Sequence, residues 1–282
     1  FFQAEDGIRY LVRSRGLGDV YKRQIIHHRQ YRGFMKRHLC YLGFVSLALL
    51  ILVAAGFLIW ASNPANPEQT ALDNLGSSTT VEYQNMDGWL VFLPKGEAPS
   101  TGLIFYPGGR VDYRAYAPLA HKISESGFLV VVVRMPLNFA IFGLNQATEV
   151  MASFPDIDHW AVGGHSLGGA MAAQYASSNL QEVEGLVFWA SYPAGNNDLS
   201  KSDLEVISIY ATNDGLATIQ DIDASRTNLP DDTSYVEVQG GNHAGFGWYG
   251  PQNGDGEAEI TKTNQQEQII NVTTIFLEGL SQ

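Results

Sequence analysis

An α/β fold, in which helices cover both faces of a mostly parallel sheet, is the class this sequence predicts, and three observations predict it. Continuous apolar runs, many of them β-branched, occur at 102–106, 129–133, 185–190 and 205–211 and read as strands buried on both faces. Segments with helical character, at 115–126, 144–153, 221–228 and 264–278, alternate with them, as a sheet of crossover-linked strands requires. Between these lies a Gly-rich turn at 163–169, where the short apolar strand Trp160-Ala161-Val162 gives way to small, helix-compatible residues.

At 282 residues the chain is long enough for one large domain and an appendage. Residues 1–24 differ in character from the rest. The run Ser14-Arg15-Gly16-Leu17-Gly18-Asp19-Val20-Tyr21-Lys22-Arg23-Gln24 resembles translated sequencing-adapter read-through, the alternative being a disordered basic tail, and Met35 offers a start. Residues 25–38 form a basic segment containing Arg29, Arg32, Lys36 and Arg37.

Residues 39–61 carry no charge, and as a helix they would extend about 34 Å, enough to cross a hydrocarbon core of ~30 Å. No Lys or Arg follows until Lys95, so the charge asymmetry places the N-terminus in the cytoplasm and the rest outside, with Trp60 as an interfacial anchor. A cleaved signal peptide, leaving a secreted protein, is the alternative for the same segment. Residues 62–78, with Pro64 and Pro67, read as a stiff polar linker. The main domain then occupies 79–282 and opens with a hairpin, 79–84 and 89–93, around Asp87-Gly88. A last strand is expected at 233–239.

Cys40 is the single cysteine, which excludes an intrachain disulfide framework and a cysteine-based metal cluster. From Ala61 onward 26 acidic residues face 8 basic ones, a net charge near −18 that disfavours nucleic acid and anionic lipid head groups. The expected partners are a small-molecule acyl substrate and, through the N-terminal helix, a membrane; no nucleic acid, metal or organic cofactor is expected.

The turn carries the chemistry. Gly164-x-Ser166-x-Gly168 matches the G-x-S-x-G nucleophile elbow, in which a strained strand-to-helix turn lifts a serine hydroxyl out of the sheet. With this motif and the strand–helix alternation, residues from about 79 to 280 resemble the α/β-hydrolases, close to the small dienelactone-hydrolase-like branch with a membrane-anchored N-terminus. The sequence departs from that branch's cysteine-nucleophile members by placing Ser166 in the elbow. The resemblance implies an α/β-hydrolase fold with a mostly parallel central sheet and helices on both faces, preceded by one transmembrane helix. Only about 14 residues separate the strand ending at Ala190 from the next, too few for a large inserted lid.

The resemblance also implies the order Ser…Asp/Glu…His. Of seven histidines only His243 lies downstream of Ser166, in Gly240-Gly241-Asn242-His243-Ala244-Gly245, a loop that reads as flexible. Asp214 follows the strand 205–211 and is the candidate acid, the alternative being an ordinary Asx-turn. A serine hydroxyl needs such a base, and the base needs an orienting acid. The Leu167 N–H would be the first oxyanion donor. Pro107-Gly108-Gly109 corresponds to the family's His-Gly-x turn and implies the Gly109 N–H as the second, with Arg110 in reserve. Tyr106, Arg110, Phe246 and Trp248 are candidates to line a substrate pocket. The expected activity is hydrolysis of a small ester or related acyl compound through an acyl-enzyme. The alternatives are an acyltransferase or peptidase with the same triad, and a non-catalytic binding protein on this scaffold.

Overall fold

The computed structural model describes residues 6–86 and 88–281. Residues 1–5 of the segment resembling adapter read-through, Asp87 of the expected hairpin turn, and Gln282 lie outside the described residues. The chain divides into two compact units, Phe1–Ile59 and Trp60–Gln282.

The first unit is helical, part of α1 (Asp6–Ala61). The stretch Val20–Ala61 is long and apolar enough to cross a membrane by length and composition. Its apolar side chains, Leu50 and Leu52 among them, are exposed, which a core helix of a soluble domain would not tolerate.

In the second unit α2 (Gln69–Asp73) precedes the hairpin of β1 (Val81–Met86) and β2 (Trp89–Pro94). There follow β3 (Thr101–Tyr106), α3 (Ala117–Glu125), β4 (Leu129–Val133), α4 (Gln146–Ser153), β5 (His159–His165) and α5 (Leu167–Ser178). The chain closes with β6 (Gly185–Trp189), β7 (Glu205–Ala211), α6 (Ile219–Ser225), β8 (Ser234–Val238) and α7 (Lys262–Leu280). All eight strands join one sheet in the order β1-β2-β4-β3-β5-β6-β7-β8. The β1–β2 and β2–β4 pairs are antiparallel, and every pair from β4 to β8 is parallel.

The sheet is buried on both faces because β3 and β4 are apolar at every second position on each side. Leu103, Phe105, Val130 and Val132 pack in one core with residues of α3 and α7. Ile104, Tyr106, Val131 and Val133 pack in the other with α4 and α5. The helix ends follow local chemistry that periodicity alone does not report. A 3₁₀ turn, Tyr113–Tyr116, capped by the Asp112 side chain, occupies the start expected for α3. The α6 helix begins at Ile219, two residues early, because Thr218 and Asp221 form a reciprocal capping box.

The expected linker, 62–78, is instead packed onto the domain. Ala65 pairs with Val111 and Pro67 with Tyr249 as isolated bridges, and the Lys262 ammonium binds the Glu68 carboxylate at 2.8 Å. Two prolines stiffen the segment, but the domain surface decides its path.

Candidate active site

Ser166 sits between β5 and α5 with φ 53° and ψ −125°, a conformation that Cβ-bearing residues resist. Glycine is required on either side. A Cβ at Gly164 would come 2.6 Å from the Tyr106 carbonyl oxygen, and one at Gly168 would strike the Tyr106 and Pro107 carbonyl oxygens. The strained turn is held from below: the Ser166 N–H donates to Trp189 O at 3.0 Å, and the Ser191 hydroxyl donates to Ser166 O at 2.6 Å. Ser166 is half-exposed although β5 before it is buried.

Asp214 and His243 are brought together from the ends of β7 and β8. Asp214 Oδ2 lies 2.8 Å from His243 Nδ1, and both side chains are buried. Asp214 Oδ1 accepts the Leu216 and Ala217 N–H groups, each at 2.8 Å. The carboxylate therefore closes an Asx-type turn with one oxygen and meets the imidazole with the other. An ionised carboxylate makes Nδ1 the donor and leaves the lone pair on Nε2. That Nε2 is buried and makes no hydrogen bond among the described residues.

The His243 ring packs at 4.5 Å, centroid to centroid, on that of His165, the residue preceding Ser166. No hydrogen bond joins Ser166 Oγ to His243 among the described residues. Such contacts are commonly long in a free enzyme and tighten when substrate binds.

The loop carrying His243, which reads as flexible in the sequence, is pinned on every side. Asp255 accepts the His243 N–H at 3.0 Å with Oδ1 and the Ala244 N–H at 2.8 Å with Oδ2. Gln265, from α7 and fully buried, accepts the Asn242 N–H at 3.1 Å and donates to Asn242 O at 2.7 Å. Asn242 in turn donates to Gly256 O and accepts from Gly245 N–H.

A second brace runs through His165. The Gly108 N–H donates to the Tyr116 hydroxyl at 3.0 Å, and that hydroxyl lies 2.8 Å from His165 Nδ1. Burial pushes the Tyr116 phenol up, so it stays protonated and donates to Nδ1. Burial, with the His243 imidazole as a lesser cause, holds His165 well below its ordinary value. The turn before Gly109 is thus fastened to the end of β5 through two neutral groups.

Leu167 and Gly109 sit side by side: a Cβ at Gly109 would lie 3.2 Å from Leu167 Cδ2. Leu167 opens α5, where no helical carbonyl is available to its N–H. The Gly109 N–H likewise makes no hydrogen bond among the described residues.

The pocket expectation needs correction. Tyr106 is fully buried, its hydroxyl donating to Leu144 O and accepting from the Ala147 N–H, so it belongs to the core. Phe246 is also fully buried, stacked on the His165 ring at 5.8 Å. Arg110 lies 4.1 Å over the Trp60 indole and donates to the carbonyls of Trp60 and Asn63, so its charge is directed to that segment rather than to a substrate. Trp248 is half-buried beneath the Lys262 ammonium, 5.3 Å from its ring. Sequence reasoning missed Tyr116, His165, Asp255 and Gln265. Of these only His165, inside the elbow motif, carried any linear signal. No group of acidic, His or Cys side chains suited to a metal ion occurs among the described residues.

A strained serine turn at the carboxyl edge of a parallel sheet, with an Asp–His pair delivered from two later strand ends, defines the α/β-hydrolase class. The chain belongs to the alpha/beta hydrolase family, whose model matches residues 102–267. Solved structures with the same fold include a dienelactone hydrolase from Anabaena variabilis, 14% identical, covering 71% of this chain and 99% of that one at a TM-score of 0.57. Carboxyl esterase 2 from Tuber melanosporum is 14% identical over 72% of this chain and 89% of its own, at 0.54. The esterase domain of a Rhodothermus marinus protein is 10% identical over 70% and 98%, at 0.53. Identities this low carry the fold alone. A search of curated protein sequences gives no match.

Proposed function

We propose that the protein is a serine hydrolase that cleaves a small ester or related acyl compound through an acyl-enzyme. The observation that carries this reading is the buried Asp214–His243 pair, 2.8 Å apart, with Nε2 unbonded among the described residues and the ring 4.5 Å from that of His165, the neighbour of the strained Ser166. In the first step Ser166 Oγ attacks the acyl carbon while His243 Nε2 takes its proton, and the carbonyl oxygen becomes an oxyanion. The N–H groups of Leu167 and Gly109, which make no hydrogen bond among the described residues, are the donors proposed to receive that charge, and losing one such donor costs on the order of 10²–10³-fold in kcat. His243 then passes its proton to the departing alcohol. Water, deprotonated by the same Nε2, resolves the ester on Ser166. Asp214 holds the imidazole in the Nδ1–H tautomer throughout and stabilises its charged form.

A fluorophosphonate probe should label the wild-type protein on Ser166 and leave Ser166→Ala unlabelled. The same substitution should lower hydrolysis of p-nitrophenyl acetate on the order of 10⁴-fold or more. Absence of labelling in a folded wild type would favour a binding protein on this scaffold.

The N-terminal helix is proposed to be a single-pass anchor, with the basic segment in the cytoplasm and the catalytic unit outside. The charge asymmetry around residues 39–61 supports this orientation. Alkaline carbonate should leave the protein in the membrane pellet, whereas a shortened soluble form would point to cleavage.

A further inference from the structure

Leu137 and Asn138 are consecutive non-glycine residues in the left-handed region, with φ 52° and 59°. Such strain persists where the surroundings over-determine it, and here they do. Asn138 O accepts the Arg110 N–H at 2.7 Å, and the Asn138 side-chain amide donates to Ala61 O at 2.9 Å. Arg110 completes the clasp with its guanidinium on Trp60 O, at 3.2 Å, and Asn63 O, at 2.7 Å. The end of the apolar run, with Asn63 just beyond it, is therefore tied to the loop 136–142, directly through Asn138 and by way of Arg110.

That loop has two further properties. It is apolar and open to solvent: Ile141 and Phe142 are each 49% exposed, and Pro136 is exposed beside them. It also adjoins the proposed oxyanion turn, since a Cβ at Gly109 would lie 3.6 Å from Phe139 Cδ1. Arg134, exposed at the loop's base, adds a positive charge to an otherwise acidic unit.

We infer that residues 136–142 form a surface seated in the outer face of the lipid bilayer, and that the substrate is an amphiphilic ester drawn from that leaflet. The inference rests on the anchored serine-hydrolase reading above and adds to it a substrate class and a route of entry. Chain reach supplies the argument. An extended chain advances at most ~3.6 Å per residue, so a segment leaving the hydrocarbon near residue 60 cannot carry Asn63 more than about 11 Å away. The polar zone of each leaflet is about 5–8 Å deep. A loop bonded to Ala61 through Asn138, and to Trp60 and Asn63 by way of Arg110, is thus held at the level of the head groups, where exposed Ile and Phe gain by insertion and Arg134 meets lipid phosphate. The proposed oxyanion turn adjoins that loop, so an ester carried by the same lipids is the substrate this placement favours.

The test uses the full chain, one copy per phosphatidylcholine nanodisc, and two substrates: p-nitrophenyl acetate in solution and 4-methylumbelliferyl oleate within the disc. The double variant Ile141→Asp, Phe142→Asp should keep acetate hydrolysis within about twofold and lose oleate hydrolysis at least about tenfold. Equal losses on both esters, unchanged oleate hydrolysis, or a wild type that cleaves acetate but not oleate would overturn the inference. An environment-sensitive nitrobenzoxadiazole label at Phe142→Cys, in a Cys40→Ser background, reports seating independently of turnover. Blue-shifted emission quenched by brominated acyl chains is the expected result. Water-like emission, or a blue shift only when two copies share a disc, would count against a lipid surface. If the wild type cleaves neither ester, the hydrolase reading fails while the label still decides whether the loop meets lipid.

Discussion

Asp255 gathers four backbone N–H groups on one carboxylate: those of His243, Ala244, Gly256 and, at 3.3 Å, Gly215. It touches no reacting atom in the proposed chemistry, yet it binds the base's loop and reaches the turn that follows Asp214. Asp255→Asn keeps the shape but sets an amide NH₂ against N–H donors on one side. A displacement of the imidazole by about 1 Å can cost on the order of 10²-fold in rate. Steady-state kinetics should therefore show kcat falling by about 10- to 100-fold with KM little changed. A merely structural Asp255 would instead lower the amount of folded protein and leave kcat per active site intact, as fluorophosphonate titration would report. Arg110 teaches the opposite lesson about residues. Expected from the sequence to line a substrate pocket, it instead stacks on Trp60, which spends its charge on the chain itself.

At the scale of elements, the elbow depends on how closely β3, β5 and α5 approach one another. The Gly168 position faces two backbone carbonyls of the strand end at Tyr106 and Pro107, and backbone cannot move aside as a flexible side chain can. Gly168→Ala should destabilise the domain by about 3 kcal/mol or displace the turn at Pro107–Gly109, since overpacking costs about 1–3 kcal/mol even where side chains can yield. Denaturant unfolding of the variant and its labelling rate would measure both outcomes; unchanged values in both would refute this packing argument. The strand elements themselves were legible, because β-branched runs such as Val130–Val133 have no other comfortable conformation than a doubly buried strand. Less legible were the short 3₁₀ turn before α3 and the early start of α6, which depend on single side-chain caps at Asp112 and Thr218.

Across the whole molecule, stability is coupled to pH through histidines buried without charge. Burial lowers both His165 and His121 below the ordinary value of 6.5. The unfolded chain binds protons at these sites as pH falls below about 6.5, while the folded chain does not until lower pH. Folding therefore loses stability progressively as pH falls from about 6.5 toward the depressed folded values, and gains nothing from these groups above that range. Thermal melts should fall in midpoint from pH 7 to pH 5, and His165→Gln should flatten part of that slope. A midpoint that rises on acidification would contradict the assignment. The acidic surface adds a second, salt-sensitive contribution that screening reduces and the His165 substitution leaves in place.

The linear sequence by itself determined the alternation of strands and helices, the apolar N-terminal helix, the Ser166 turn, and the pairing of Asp214 with His243 as candidates. The first three are properties of spacing, charge and backbone freedom that a few neighbouring residues impose, whereas the last was implied by the resemblance and its order of triad residues. Only the tertiary structure decided that Asp255, Gln265, Tyr116 and His165 hold the site, that Tyr106 and Phe246 are core, and that residues 60–67 lie bonded to the domain. The physical reason is that each of those contacts joins groups well apart along the chain, from 11 residues between Asp255 and Ala244 to 77 between Asn138 and Ala61 and more for Pro67 with Tyr249. A buried polar atom takes whichever partner packing delivers to it, and local patterns do not carry that choice.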